Sequence, residues 1–276
     1  MIIYIGAGLL VICILFIIYM RREAGAVMQE TINLTGTGQE CGLRVVHLSD
    51  LHLKINSFQL DTIISMVRGA SPHIVVLTGD YIDSTKETDR FIAWMEELIG
   101  AVKGAGFYLC FGNHDRQAFM RSPGLMREMT KSLKRLGVYV MENRTLSFSQ
   151  DGRLYAITGF SDYYTSTFRN PRKALKGTPK DASYHIGISH NPDIALELTG
   201  PSPNLLLLGH FHGGQIWLPF HLEYTCLRNE RLCKLGIRRG LYLFGGRSIY
   251  ISRGLGCVLF PLRLLSRPEI TLFILP

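Results

Sequence analysis

The sequence predicts an α/β fold preceded by one transmembrane helix, and three observations support that prediction. Residues 2–20 are uncharged and almost wholly apolar. From Leu43 onward, apolar runs of strand length that are rich in β-branched residues alternate with longer segments of helical periodicity. The 276 residues contain no repeat, low-complexity tract or linker rich in Pro, Gly and Ser. We therefore expect one α/β domain over residues 43–276.

The amino-terminal apolar segment is long enough to cross a membrane. At about 1.5 Å per residue, a helix over residues 2–20 spans a hydrocarbon core of about 30 Å. A cleaved signal peptide carries positive charge before its apolar stretch, whereas Arg21 and Arg22 follow it here. We predict a membrane anchor over residues 1–22, and the positive-inside bias then places the remaining chain in the cytoplasm. Residues 23–42 form either a tether or an edge strand.

Five predicted strands precede the residues of most chemical interest. They cover residues 43–48, 73–77, 107–111, 184–188 and 205–208. Helices are predicted near residues 56–70, 88–103, 123–136 and 193–199. Active sites in open α/β sheets gather beyond the carboxyl ends of the strands, so loops that are far apart in sequence can converge there.

Each of these strands is followed by Asp, His or Asn. The candidate site residues are Asp50, His52, Asp80, Asn113, His114, Asp115, His190, His210 and His212. Singly, Asp50 can cap a helix, and Asn113 and Asp115 are common turn residues. Their agreement across five strand ends favours a joint metal site. The remaining histidines lie within or at the start of apolar runs, which favours structural roles for His47, His73, His185 and His221.

The last strand end carries two histidines one residue apart, His210 and His212. Such residues project to opposite sides of an extended strand, so both can reach one centre only if the backbone turns at once. Gly213 and Gly214 permit that turn. An isolated pair of this kind is more often a surface or loop feature. We interpret it as part of a metal site because the other strand ends carry candidate ligands as well.

The donor set indicates which metals it would bind. Carboxylate, imidazole and amide oxygen together suit Mn²⁺, Fe or Zn²⁺, whereas an all-oxygen set favours Mg²⁺ or Ca²⁺. Two divalent ions bridged by a carboxylate would use all the ligands, and paired ions are a known device for in-line attack at phosphorus. With Asp50 and Asp80 ionised and a bridging hydroxide present, the site keeps a positive formal charge. We therefore expect two divalent ions, Mn²⁺ first, that attract a phosphate and supply the nucleophile.

Five motifs run in order along residues 43–276. They are Asp50-x-His52, Gly79-Asp80, Gly112-Asn113-His114-Asp115, Ser189-His190 and Gly209-His210-x-His212. As a set they resemble the motifs of the calcineurin-like metallophosphoesterases. The resemblance implies an αββα sandwich, in which two facing β-sheets are flanked by helices, and an activity that hydrolyses phosphoester bonds.

The resemblance also implies a role for each motif residue. One metal would be held by Asp50, His52, Asp80 and His212, and the other by Asp80, Asn113, His190 and His210. Asp80 would bridge the two ions. His114 would contact the scissile phosphate and assist departure of the leaving oxygen, with Asp115 orienting its imidazole.

The apolar amino-terminal segment and the segment from Ser252 to Ile270 are similar to membrane-associated bacterial phosphodiesterases of the YaeI and YkuE type. Relatives of these include a UDP-2,3-diacylglucosamine pyrophosphatase, which implies an amphiphilic phosphodiester or lipid-linked pyrophosphate as substrate. Residues 217–242 and 258–265 interleave large apolar residues with arginines, a composition that suits an anionic lipid surface. The same composition also fits a core strand plus a solvated basic loop. The net charge of +8 favours anionic partners in general.

Two rival functions remain. A nuclease or cyclic-nucleotide phosphodiesterase would use the same metal pair, but the sequence shows no regular basic and aromatic face for nucleic acid, so we expect no nucleic-acid partner. A binding protein on an inactive phosphoesterase fold would have lost ligands, and none is missing here. The sequence lacks a phosphate-binding P-loop, which argues against a motor or transport activity driven by nucleoside triphosphate hydrolysis.

Overall fold

The computed structural model describes residues 2–36, 42–162, 171–199 and 203–276. Two six-stranded sheets pack face to face with helices on their outer sides. The strands are β1 (Met28–Asn33), β2 (Leu43–Leu48), β3 (Ile74–Thr78), β4 (Gly106–Cys110), β5 (Tyr139–Val140), β6 (Arg144–Gln150), β7 (Arg153–Gly159), β8 (Tyr184–Ile188), β9 (Leu205–Leu208), β10 (Gly240–Phe244), β11 (Arg247–Ile251) and β12 (Glu269–Leu275). This arrangement confirms the predicted αββα sandwich.

The helices differ widely in length. They are α1 (Ile2–Gly25), α2 (Leu60–Ala70), α3 (Thr88–Ala101), α4 (Asn113–Phe119), α5 (Pro123–Arg135), α6 (Pro171–Ala174), α7 (Ile194–Glu197), α8 (Leu222–Thr225) and α9 (Arg231–Lys234). The amphipathic helices α2, α3 and α5 bury their apolar faces on one sheet, as their 3.6-residue periodicity predicts. The predicted helix over 123–136 begins with Pro123 in the first turn, where its missing N–H has no cost.

Both sheets are mixed, with parallel strands at their centres. The first has the order β1-β12-β2-β3-β4-β5, and the second has the order β10-β11-β9-β8-β7-β6. Strands β2, β3 and β4 are mutually parallel, as are β8 and β9. Because β3 and β9 are buried along their whole length, their sequences are continuous apolar runs without alternation.

The core has three apolar layers. The middle layer joins the facing sheets through residues such as Val76 and Tyr108 of the first and Ile186 and Leu207 of the second. One outer layer lies under α2, α3 and α5, and the other lies between the second sheet and the small helices α7 and α9. Because protein interiors are close-packed, these layers fix the relative position of the two sheets, and therefore of the loops at their edges.

Helix α1 is continuous with the domain. It is the one helix, among the described residues, that is long and apolar enough to cross a membrane. Side chains from Tyr4 to Tyr19 are exposed, but Met20 and Ala24 are buried against the domain. The chain then enters β1, which pairs with β12 at the edge of the first sheet. Residues 28–33 are thus an edge strand, whereas residues 37–41 lie outside the described part.

Candidate metal centre and active-site cleft

The loops that follow β2, β3, β4, β8 and β9 converge at one end of the sandwich. Their approach is very close: a Cβ built on Gly209 would lie 1.9 Å from Ser49 Oγ and 2.5 Å from Asp50 Oδ2. The backbone N–H of His210 donates to Asp50 Oδ1 at 3.0 Å, which joins the end of β9 to the end of β2. The strand ends of the two sheets therefore build one site.

Five candidate ligands have left-handed backbone, a conformation that is uncommon outside glycine. The φ angles are 53° at Asp50, 41° at His52, 57° at Asp80, 73° at His210 and 52° at His212. Such clustering is typical of functional sites, where the surrounding structure holds the strained conformation in place. The chain therefore begins to turn at His210 and His212 themselves, one step before the glycines that the sequence suggested.

Three side chains form a first group that could hold a cation. Ligand atoms of Asp50, His52 and His212 lie within 4.8 Å of one another, and all three residues are buried. His212 Nε2 is 3.3 Å from Asp50 Oδ1. His52 Nε2 is buried and has no hydrogen-bond partner among the described residues. A buried nitrogen without a partner, facing carboxylates, fits a metal ligand.

A second group lies beside the first. It consists of Asp80, His190 and His210, again with ligand atoms within 4.8 Å of one another. His190 Nε2 is 3.0 Å from Asp80 Oδ2, 3.1 Å from His210 Nδ1 and 3.0 Å from Asn113 Oδ1. Asn113 thus belongs to this group by contact, and the structure places His210 and His212 in different groups.

Asp80 lies between the two groups. Its Oδ2 is 3.0 Å from His190 Nε2 of the second group and 3.8 Å from His52 Nε2 of the first. Burial disfavours charge on both partners, but their contact outweighs it: the pKa of Asp80 is held below its ordinary value, and that of His190 is raised to about 10. Because a metal ligand must be deprotonated, an ion bound here would take the place of the proton between Asp80 and His190.

The carboxylate beside His114 is Asp83. Asp83 Oδ1 lies 2.8 Å from His114 Nδ1 and 2.9 Å from His52 Nδ1. The expectation that Asp115 orients His114 is wrong in this structure, because Asp115 faces the backbone. Its carboxylate accepts hydrogen bonds from the N–H groups of Asp80, Tyr81, Ile82 and Gly112. Asp115 thereby fixes the loop after β3, and so positions Asp80.

Sequence reasoning also missed Glu230, whose Oε1 is 2.6 Å from His210 Nε2. A carboxylate in this place orients an imidazole so that its other nitrogen faces a metal. Asp83 could have been found, since it follows Asp80 in the same loop. Glu230 precedes α9 in a region without strand periodicity, so no pattern indicated it. His47, His73 and His185 make internal contacts outside both groups.

A cavity of about 480 Å³ opens beside the two groups. Asp80, His114, His210 and His212 line its floor. Its walls combine the guanidinium of Arg228 with exposed apolar side chains, which are Leu218, Leu227, Leu259 and Phe260. A phosphate bound at the floor would therefore be flanked by an apolar surface.

The match to known proteins agrees with this geometry. A family model described as calcineurin-like phosphoesterase matches residues 43–214. The chain therefore belongs to the calcineurin-like phosphoesterase family, which uses divalent metals, and it is a hydrolase of phosphoester bonds.

Several curated relatives span most of this chain, among them the following three. The metallophosphoesterase YkuE of Bacillus subtilis is 33% identical over 240 residues, which cover 85% of this chain and 79% of YkuE. Phosphodiesterase YaeI of Escherichia coli is 28% identical over 232 residues, with 83% and 80% covered. The UDP-2,3-diacylglucosamine pyrophosphatase LpxG of Chlamydia trachomatis is 28% identical over 277 residues, with 84% and 83% covered.

Among solved structures, TT1561 of Thermus thermophilus superposes with a TM-score of 0.51. The match covers 78% of this chain and 91% of TT1561 at 12% identity. At that identity the likeness supports the fold alone.

Proposed function

We propose that this chain is a membrane-anchored phosphoesterase that uses two divalent ions, Mn²⁺ first, to hydrolyse a phosphodiester or pyrophosphate bond in an amphiphilic substrate. The observation that carries the proposal is the position of Asp80, whose Oδ2 faces both His52 and His190. A carboxylate between two ligand groups is the arrangement that a binuclear centre requires.

The side chains divide into two ligand sets that share Asp80. One ion would be held by Asp50, His52, Asp80 and His212, and the other by Asp80, Asn113, His190 and His210. When bound, such ions stabilise negative charge on phosphate oxygens and lower the pKa of water. Asp83 and Glu230 keep His52 and His210 oriented by occupying their outward nitrogens.

His114 is the proposed proton donor to the leaving oxygen. Its Nδ1 is engaged by Asp83, so Nε2 is the nitrogen available to the cleft that His114 lines. Burial lowers the pKa of His114, but the hydrogen bond to Asp83 and the negative charges of Asp80 and Asp83 together raise it above the ordinary value. A protonated imidazole at this position can neutralise the charge that develops as the P–O bond breaks.

The cleft walls support an amphiphilic substrate. Leu227 and Leu259 are each 77% exposed and Phe260 is 63% exposed beside the candidate metal ligands. Contiguous apolar surface of this kind is typical of a binding site for apolar groups. Arg228 adds positive charge for a second phosphate, as a pyrophosphate would require. A nucleotide-linked lipid such as UDP-2,3-diacylglucosamine, the substrate in the name of LpxG, has both features. Its acyl chains would contact the apolar side chains, and its pyrophosphate would contact Arg228.

Helix α1 would bring this cleft to the bilayer. Its exposed apolar residues face away from the domain, and Arg21 and Arg22 follow them. By the positive-inside bias, these two arginines support a catalytic domain on the cytoplasmic side. Labelling of single cysteines introduced at exposed positions of α5, in intact cells and after lysis, would test this placement.

The substrate proposal can be tested in detergent micelles with Mn²⁺. The full chain is assayed on UDP-2,3-diacylglucosamine, a soluble chromogenic diester and a short oligonucleotide, with mass spectrometry of the products. Asp80→Ala should abolish hydrolysis of every substrate. Leu259→Ser with Phe260→Ser should raise KM for the lipid about tenfold without changing turnover of the soluble diester.

Leu243→Ser serves as a matched control, because Leu243 is 80% exposed on β10 and does not line the cleft. Activity that survives Asp80→Ala would place the chemistry elsewhere. Faster cleavage of the oligonucleotide than of either diester would favour a nuclease instead.

A further inference from the structure

A second cavity, of about 780 Å³, lies where α1 meets the domain. One side is formed by the last turns of α1 and the chain that follows, and the other by the carboxyl-terminal third of the sequence. Its lining residues are Tyr19, Arg22, Glu23, Ala26, Met28, Trp217, Arg239, Arg253, Leu265 and Arg267. No residue of the candidate metal groups belongs to this lining.

The lining of this cavity carries an excess of positive charge. It contains four arginines and one carboxylate, that of Glu23. Arg253 pairs with Glu30 and Glu269, so its charge is already balanced. Arg22, Arg239 and Arg267 have no carboxylate within salt-bridge distance in the described part of the chain. Against the single lining carboxylate of Glu23, these three guanidinium groups leave the lining with a net positive charge, which favours an anionic ligand.

Two of these guanidinium groups are held in place before any ligand arrives. Arg239 lies 4.0 Å from the ring centroid of Trp217, and its Nη1 donates to the carbonyl of Leu265 at 2.9 Å. Arg267 Nε donates to the carbonyl of Ala26 at 3.0 Å. A guanidinium has five N–H donors, so each keeps donors for a ligand, and its planar fork matches the oxygens of a phosphate.

The position of the cavity identifies the source of that phosphate. Tyr19 is the last exposed residue of the apolar run of α1, and Arg22 follows it by one turn. Tyrosine and tryptophan are enriched at the level of lipid headgroups, and arginines just beyond a transmembrane segment attract anionic lipids. We propose that this cavity binds the phosphate of an anionic phospholipid from the leaflet in which α1 ends.

The proposed lipid-binding cavity and the active-site cleft are separated by one segment of the chain, residues 216–218. Ile216 and Leu218 line the cleft, whereas Trp217 between them lines the basic cavity. This follows from their extended arrangement, since successive side chains project to opposite sides. A bound lipid would thus fix the apolar wall of the cleft against the membrane. The inference rests on the proposed membrane placement of α1, but not on the hydrolytic chemistry.

The test measures lipid binding to the full chain in detergent after treatment with a chelator, so that catalysis is not required. Thermal unfolding is followed during titration with dihexanoyl-phosphatidylglycerol, dihexanoyl-phosphatidylcholine or inorganic phosphate. We expect phosphatidylglycerol to raise the unfolding temperature and the other two to have little effect. Arg22→Gln with Arg239→Gln should weaken phosphatidylglycerol binding tenfold or more, because each removes charged donors.

Arg21→Gln with Arg238→Gln is the matched control. It removes the same number of charges from neighbouring positions that do not line the cavity. Equal weakening by both pairs would overturn the site in favour of general surface charge. A stabilisation by inorganic phosphate as large as that by phosphatidylglycerol would overturn the lipid assignment. Turnover of a soluble diester by the Mn²⁺-loaded Arg22/Arg239 variant reports separately on the proposed hydrolase activity.

Discussion

At the scale of single residues, Asp83 joins the candidate proton donor to a candidate metal ligand. One of its oxygens lies within hydrogen-bond distance of both His114 and His52. The contacts hold the pKa of Asp83 well below its ordinary value, although burial alone would raise it. Changing Asp83 should therefore affect both proton donation and metal affinity. A saturating metal concentration removes the effect on metal affinity, and substrates with different leaving groups then report on proton donation.

We expect Asp83→Asn to lower turnover of an alkyl phosphodiester about 10–100-fold at saturating Mn²⁺. A p-nitrophenyl diester should lose much less, because its leaving group departs without a proton. Steady-state rates with both substrates give the comparison. Asp89→Asn, in the exposed first turn of α3, is the control. An equal loss on both substrates would assign Asp83 to metal binding alone.

His185 offers a pH-dependent test outside the metal site. Burial lowers its pKa from 6.5 to about 4, and its Nε2 contacts Thr158 Oγ1 at 2.7 Å. Because the folded pKa is depressed, the stabilisation by the neutral ring is full above pH 6.5 and is lost as the pH falls towards 4. Between pH 7 and 4, the wild type should lose about 2–3 kcal/mol more unfolding free energy than His185→Gln. Denaturant unfolding across this range measures the difference, and parallel curves would refute it.

At the scale of elements, the strands show what the sequence could predict. The predicted bounds of β2, β8 and β9 match the structure, because each is a buried apolar run that stops abruptly at polar residues. The same stops indicated all seven metal-ligand candidates. The two orienting carboxylates, Asp83 and Glu230, could not be predicted in this way. Both lie in irregular loops, and the periodicity of a sequence does not indicate the path of such loops.

The carboxyl-terminal segment shows the limit of composition as a guide. The composition of residues 258–265 suggested either a lipid surface or a core strand plus loop. In the structure, some of these residues are exposed and others are buried. Leu259, Phe260 and Leu265 are exposed, whereas Arg263 is fully buried. Arg263 donates to the backbone carbonyls of His212, Arg253, Gly254, Gly256 and Ser266. A buried arginine that donates to the carbonyls of a loop cannot be distinguished from a surface arginine by sequence alone.

We expect Arg263→Met to lower the free energy of unfolding by about 3–5 kcal/mol, because several buried carbonyls lose their donor at once. Arg263→Lys should recover part of this, since an ammonium supplies fewer donors. Urea unfolding followed by tryptophan fluorescence gives both values. Arg135→Met, at the exposed end of α5, should change stability by less than about 0.5 kcal/mol. An Arg263→Met variant as stable as this control would contradict the assigned role.

At the scale of the whole molecule, the last turns of α1 are packed as part of the domain. Arg263 N–H donates to the carbonyl of Met20 at 3.1 Å, and Ser266 N–H donates to Glu23 Oε1 at 3.0 Å. These contacts begin two residues before the predicted end of the anchor at residue 22. Hydrophobicity marks where a membrane span stops, but it does not show that the same helix continues as a packed element.

Two truncations should therefore differ. A variant lacking residues 1–18 keeps Met20, Glu23 and Ala24, and should unfold within about 2 °C of the full chain in the same detergent. A variant lacking residues 1–27 loses contacts worth about 2–3 kcal/mol and should unfold about 5–10 °C lower. Differential scanning calorimetry gives the comparison. Equal unfolding temperatures would show that the end of α1 does not stabilise the domain.

The absence of a flexible connection between α1 and β1, within residues 2–36, determines how such an enzyme finds its substrate. With α1 in the membrane as proposed, the cleft would be held at a constant height and would not swing outward into the aqueous phase. Encounters would then occur by lateral diffusion in two dimensions. The rate should scale with the mole fraction of substrate in the bilayer, and not with its bulk concentration.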